Sequence, residues 1–220
     1  LEPEGIDLPG FSYYDTQNGF YIYKNDYALP MGFTFDTYVS RSQWETYSES
    51  DRCNLLLRAL VLEDDTVETY QNWMQKLPDA VHQMSDEDLL AECTERTKTA
   101  CDSFTYNSKG FHATISTDHE NLVFFSVPWE EGWSAEVNGK PVSIEKADVG
   151  FMAVPVPAGD SEITFTYHTP GLKAGALLSL GGLVLFAGYL TVAGIYNKRH
   201  PNPKTESICC VDYSTEETAN

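Results

Sequence analysis

Four residues within five positions carry the clearest chemical possibility in this chain: Trp129, Glu130, Glu131 and Trp133. An indole face stacks on a pyranose ring, and a neighbouring carboxylate accepts hydrogen bonds from sugar hydroxyls. The competing account is packing, with Trp133 filling a sandwich core and Trp129 lying under a turn or against lipid headgroups. The densest acid runs, Asp64-Asp65 and Asp86-Glu87-Asp88, read as a turn and a helix N-terminus, where the dipole favours negative charge. The five histidines are isolated in sequence. No Ser-His-Asp pattern, metal-ligand spacing or CxxC pair asks for a nucleophile, a metal or a cofactor.

The elements that must position these residues begin with a membrane span. Ala174 to Tyr196 is a run of 23 uncharged residues, roughly 34 Å long as a helix and enough to cross a hydrocarbon core of about 30 Å. Lys198 and Arg199 follow it, against Lys173 alone before it. The positive-inside rule then puts residues 1–172 outside the cytoplasm and 197–220 inside. The first thirty residues hold no basic start and no short apolar signal segment. A cleaved signal or earlier spans are therefore expected upstream, and the chain reads as the C-terminal part of a larger protein. A tail-anchored cytoplasmic protein is the competing topology, and it sets the Lys-Arg pair on the wrong side. Gly171, Gly175, Ser179, Ala187 and Thr191 fall in one i+4 row broken only by Leu183, and such small residues let another helix approach closely.

Before the span, turn signals recur every eight to twelve residues and the hydrophobic period is two. Phe111, Ala113 and Ile115 alternate with polar residues, as do Trp133, Ala135 and Val137. Leu122 to Val127 is almost continuously apolar, and Phe151–Val156 with Ile163, Phe165 and Tyr167 completes the series. Asn138-Gly139 has the two positive φ angles of a type I′ hairpin. This predicts a mainly β, antiparallel sandwich or jelly-roll-like domain with core strands over about 103–168. Phe20–Lys24 and Phe33–Val39 read as two further strands joining it. Between them and the core lies a predicted helical insertion, about 43–101. One helix is capped by Asp51 and carries Cys53, Leu56, Ala59 and Leu60; another runs from Thr66 to Leu77; a third follows the Ser85 cap, with Leu89, Leu90, Cys93, Thr97 and Ala100 as its inner face.

Cys93 and Cys101 lie about 12 Å apart along that helix, too far for a disulfide. A bond from Cys53 to one of them and three buried thiols both remain open. Cys209 and Cys210 in the tail are either palmitoylated or inert. Charge narrows the partners. The chain has 14 basic and 33 acidic residues, and 11 and 29 of them precede Ala174, a charge of about −18. That excludes nucleic acid and disfavours anionic headgroups as a binding surface.

The ordered set Pro128-Trp129, Gly132-Trp133, Asn138-Gly139-Lys140, Gly150-Phe151-Met152, Pro157-Ala158-Gly159 and Tyr167-x-x-Pro170-Gly171 resembles the C-terminal end of the YfhO-like bacterial membrane proteins. The segment Tyr21 to Phe33 is similar to that family's Tyr-x-Asn-x-x-x-Leu-Pro stretch. Together these motifs cover about residues 11–196, least well through the helices. The resemblance implies a many-spanning envelope protein similar to the GT-C glycosyltransferases, which move sugars from a polyprenyl-phosphate carrier, in some relatives onto a teichoic-acid type polymer. The catalytic carboxylate of that class sits in an early outer loop that this sequence does not contain, so no catalytic residue carries over. The expected partners are the bilayer, other transmembrane helices of the parent, and an envelope glycan or polyprenyl-phosphate-linked sugar. A membrane-anchored saccharide-binding or adhesion module without enzymatic activity is the alternative.

Overall fold

The computed structural model describes residues 10–78 and 85–200. They form two compact units that part between Thr169 and Pro170. The first is mainly β. It opens with β1 (Phe11–Gln17), β2 (Phe20–Asn25), β3 (Phe33–Thr34) and β4 (Thr37–Ser40), followed by two short helices, α1 (Arg41–Glu45) and α2 (Glu49–Leu55). Next come β5 (Leu60–Leu62), α3 (Asp64–Tyr70), β6 (Gln75–Lys76) and α4 (Asp86–Lys98). The remaining strands are β7 (Ser103–Asn107), β8 (Gly110–Thr117), β9 (Asn121–Pro128), β10 (Trp133–Val137), β11 (Lys140–Val142), β12 (Glu145–Ala147), β13 (Phe151–Val156) and β14 (Gly159–Tyr167).

Two sheets make the sandwich. One has five antiparallel strands in the order β11-β10-β14-β8-β7; the other has seven, β3-β9-β13-β12-β5-β4-β6. Their facing sides share one core. Phe111, Ala113, Ile115, Ile163 and Phe165 from the first sheet meet Val123, Phe125, Met152, Val154 and Val156 from the second. The far side of β9 and β13 is buried too, because Leu122, Phe124 and Ala153 pack with Phe33, Phe35, Leu60, Leu62, Tyr70 and Met74. Burial on both faces is why β9 and β13 are continuously apolar, whereas β8 and β14 alternate. Asn138 and Gly139 have φ of 52° and 72°, as a type I′ turn requires.

The predicted helical insertion is a mixed segment. Residues 60–62 and 75–76, expected in helices, are strands, and both pair in parallel with β4. The sheet therefore departs from an all-antiparallel plan at this edge. Ser48, not Asp51, caps α2, accepting from the Asp51 amide. α3 stops at Tyr70, short of the expected Leu77. α4 starts as read, with a capping box between Ser85 and Asp88, but its inner face is rotated. Leu90 and Thr97 are exposed, while Arg96 is buried, with its guanidinium 4.9 Å from the Phe35 ring centre and a hydrogen bond to the Thr34 carbonyl. An arginine stem packs like an apolar chain when its head finds a carbonyl and a ring face.

Only part of the predicted early strand pair joins the sandwich. Phe33–Thr34 pairs with β9, but β2 pairs with β1 in a separate two-stranded sheet. Cys53, Cys93 and Cys101 are free thiols, and Cys53 is exposed.

The second unit contains α5 (Leu172–Arg199), 28 residues long with mean hydropathy 2.0 in its most apolar window and its apolar side chains exposed. Length and composition allow it to cross a bilayer. Lys198 and Arg199 lie in its last turn, where the dipole favours positive charge. Cys209, Cys210 and the rest of the tail from residue 201 lie outside the described residues.

Candidate functional site

Trp129, Glu130, Glu131 and Gly132 connect β9 to β10, and Trp133 opens β10. The loop is pinned at both ends by backbone: the Trp129 amide donates to the Gly150 carbonyl at 2.8 Å, and the His168 amide donates to the Gly132 carbonyl at 2.8 Å. The Trp129 indole donates to the Ile144 carbonyl at 3.3 Å, and the Lys146 ammonium sits 4.0 Å from the ring centre. One indole face is thus occupied by a cation. Trp133 is half-buried, in edge contact with Tyr167 at 5.0 Å and Phe111 at 5.6 Å between ring centres.

All four sequence-predicted residues line one open concavity of about 360 Å³, together with Pro141, Val142 and Ile144. Glu130 and Trp133 also form a wall of a second, larger cleft of about 610 Å³, whose other walls include Met31, Phe104, Tyr106 and Tyr167. Lys109 stands on that cleft too. The Tyr167 hydroxyl donates to Glu130 Oε2 at 2.8 Å. Donating to the carboxylate stabilises the protonated phenol, so the Tyr167 pKa is raised. An aromatic wall with a carboxylate–phenol pair on it offers apolar faces and acceptors together.

Two glycines mark close approaches beside Trp133, Gly110 on the larger cleft and Gly132 in the loop. A Cβ on Gly110 would fall 2.0 Å from the Phe165 carbonyl oxygen, and one on Gly132 would fall 2.5 Å from the Tyr167 ring and 2.6 Å from the His168 carbonyl. Strand and loop approach there too closely for any side chain.

Tyr167, Tyr106 and Lys109 escaped the sequence reading of the site. Tyr167 was legible in principle, since pairing β10 with β14 sets Trp133 opposite Tyr167. The acid runs serve as helix starts: Asp64 and Asp65 open α3, with Asp64 accepting from the Ser42 amide and hydroxyl, and Asp88 belongs to the α4 capping box. His112 pairs with Glu162 at 2.8 Å, between β8 and β14. Among the described residues no three His, Cys, Asp or Glu side chains are grouped to hold a metal ion. On α5, Gly175, Ser179, Ala187 and Thr191 lie along the helix and Gly171 is its cap, with φ of 75°. The Thr191 hydroxyl turns back onto the Ala187 and Gly188 carbonyls.

A β-sandwich unit joined in one chain to a membrane-length helix defines a membrane-associated protein. The chain is YfhO-like: residues 79–179 match the family described as "Bacterial membrane protein YfhO". It is also similar to "Uncharacterized protein YfhO" of Bacillus subtilis (strain 168), 32% identical over 89 residues. That stretch is 40% of this chain and 10% of the Bacillus protein, so the chain spans only a small part of the relative's length. No solved structure matches.

Proposed function

We propose that this chain is the extracytoplasmic, non-catalytic module and last transmembrane helix of a polytopic YfhO-like protein that glycosylates envelope polymers in the manner of GT-C transferases. Its part is to hold acceptor saccharide over the membrane-embedded site. The observation that carries this reading is the convergence of Trp129, Glu130, Glu131 and Trp133 on one concavity. The partners are envelope glycan or polyprenyl-phosphate-linked sugar, and other spans of the same protein packed on the small-residue row of α5. Lys146 lies over one face of Trp129 and the ring also packs against the sandwich core, so the sugar meets the part of the indole left exposed, and Glu131 accepts from its hydroxyls. In glycan-array binding by the whole chain in detergent, Trp129→Ala is expected to weaken saccharide retention about tenfold, the equivalent of about 1.4 kcal/mol. Glu131→Gln weakens it less. Equal binding by the native chain and Trp129→Ala removes the platform.

Sidedness follows from the same reading and has its own test. Cys53 is exposed. Burial raises the pKa of both other described thiols, that of Cys101 to about 12, so neither ionises appreciably at neutral pH. A membrane-impermeant maleimide on intact cells should label Cys53 and leave a Cys53→Ser chain unlabelled. Labelling that survives Cys53→Ser and is lost on replacing Cys209 and Cys210 reverses the orientation.

A further inference from the structure

The β1–β2 hairpin stands apart from the saccharide site and from both sandwich sheets. Its strands hydrogen-bond as a sheet of their own, joined by Asn18-Gly19 with φ of 51° and 83°. The register sets Tyr13 opposite Tyr23 and Thr16 opposite Tyr21, with a bulge at Tyr14. Phe11, Tyr13, Tyr21 and Tyr23 therefore share one face, and Phe20 and Ile22 the other. Tyr13 and Tyr23 are half-buried against each other, but Phe20 is 76% exposed, Tyr14 69%, Tyr21 52% and Phe11 45%. A lone two-stranded hairpin is marginal in water, and this one keeps its apolar surface in it. Such a surface is suited to being covered by a partner.

Charge and composition indicate what. β1 and β2 hold one acid, Asp15, and one base, Lys24, in a region that otherwise carries about −18. An acidic body is repelled by an anionic lipid surface, so contact with one has to run through a patch without net charge. The side chains are phenols and phenyls, the types that settle where hydrocarbon meets headgroup, with ring buried and hydroxyl wet. The bilayer is a partner that the chain brings with it, through α5. We propose that the β1–β2 hairpin is a membrane-docking element: its tip enters the headgroup layer, with Phe20 beside the Asn18-Gly19 turn reaching the acyl boundary and Tyr14 and Tyr21 behind it. The unit is then held to the bilayer at a second point besides its covalent link to α5, independently of any saccharide bound at Trp129.

The test uses the whole chain in nanodiscs of phosphatidylcholine and phosphatidylglycerol, with and without bromine on the acyl chains. Phe20→Trp and Tyr21→Trp each add a reporter at an exposed aromatic position, where the fold tolerates the exchange, and the native chain supplies the background. The added emission is expected to fall at least twofold in brominated discs for Phe20→Trp, and by less for Tyr21→Trp. If neither reporter is quenched beyond the native background, the proposal fails. A blue shift without bromine quenching overturns it equally, because the cover is then a protein surface.

Discussion

Phe125→Ala is expected to cost the sandwich about 3–5 kcal/mol, the range for a buried phenyl ring removed from a core that cannot close over the space. Phe125 is fully buried on β9. Its ring lies 5.2 Å from that of Phe111 and 5.3 Å from that of Phe165, so it links the seven-stranded sheet to the five-stranded one. Both walls of the resulting cavity are hydrogen-bonded sheets, which cannot sag inward without breaking ladders. The behind-strand neighbour is no help either, because the backbone at Gly32 already approaches the ring as closely as a glycine permits. For a domain of this size the loss corresponds to a drop of roughly 10 °C in unfolding midpoint. The reactivity of the covered Cys93 and Cys101 thiols during heating in detergent reports it. Tyr106→Ala, at a position 83% exposed, should fall within about 0.5 kcal/mol of the native chain. A Phe125→Ala midpoint equal to that of Tyr106→Ala would contradict the core as described.

Stability should also fall as pH rises from about 4 to about 7, because of Asp148. This residue is 8% exposed in the β12–β13 turn, with φ of 45°, and Val149 after it is also left-handed, at 73°. Its carboxyl accepts from the Val61 amide at 2.9 Å while its own amide donates to the Val61 carbonyl, so it clips β5 to the turn. Burial pushes its pKa up to about 7 from an ordinary 3.8, the Val61 hydrogen bond opposing. The folded chain then binds more protons than the unfolded one between about pH 4 and 7. The contribution of this group is full below the unfolded pKa and is lost as pH rises through the folded value, about 4 kcal/mol in all. Asp148→Asn keeps the oxygen that accepts from Val61 and removes the charge. Thermal midpoints measured from pH 5 to 8.5 should decline for the native chain and stay nearer level for Asp148→Asn. Parallel curves for the two would refute the assignment.

What the sequence disclosed follows from the length and one-sidedness of each element. β8, β10 and β14 alternate because one face meets water, and the Asn138-Gly139 turn fixes the β10–β11 hairpin, so these were readable. β5 and β6 were not. Three apolar residues, Leu60–Leu62, between two helix caps fit a helical face as well as a strand, and only the packing of Leu60 and Leu62 against Leu122 and Phe124 decides it. The exposed β1 lacks the apolar alternation of a core strand, although Asn18-Gly19 between aromatic runs is a hairpin signal that the reading passed over. Arg96 and Asp148 are charged residues in buried places, and no periodicity marks them. The candidate site was legible where it is contiguous, at residues 129–133. It was hidden where it depends on register, at Tyr167, and on a turn, at Lys109.

Gly110, on the larger cleft, and Gly132, in the loop beside Trp133, lend this corner of the sandwich a property that composition alone would not. There main chain presses against main chain and ring, so that part of the outline is settled when the strands pair and does not await an arriving molecule. The exposed rim of Tyr106, Lys109 and Glu130 still surrenders rotamer freedom on association, so selectivity at this spot joins a preset floor to an adjustable edge.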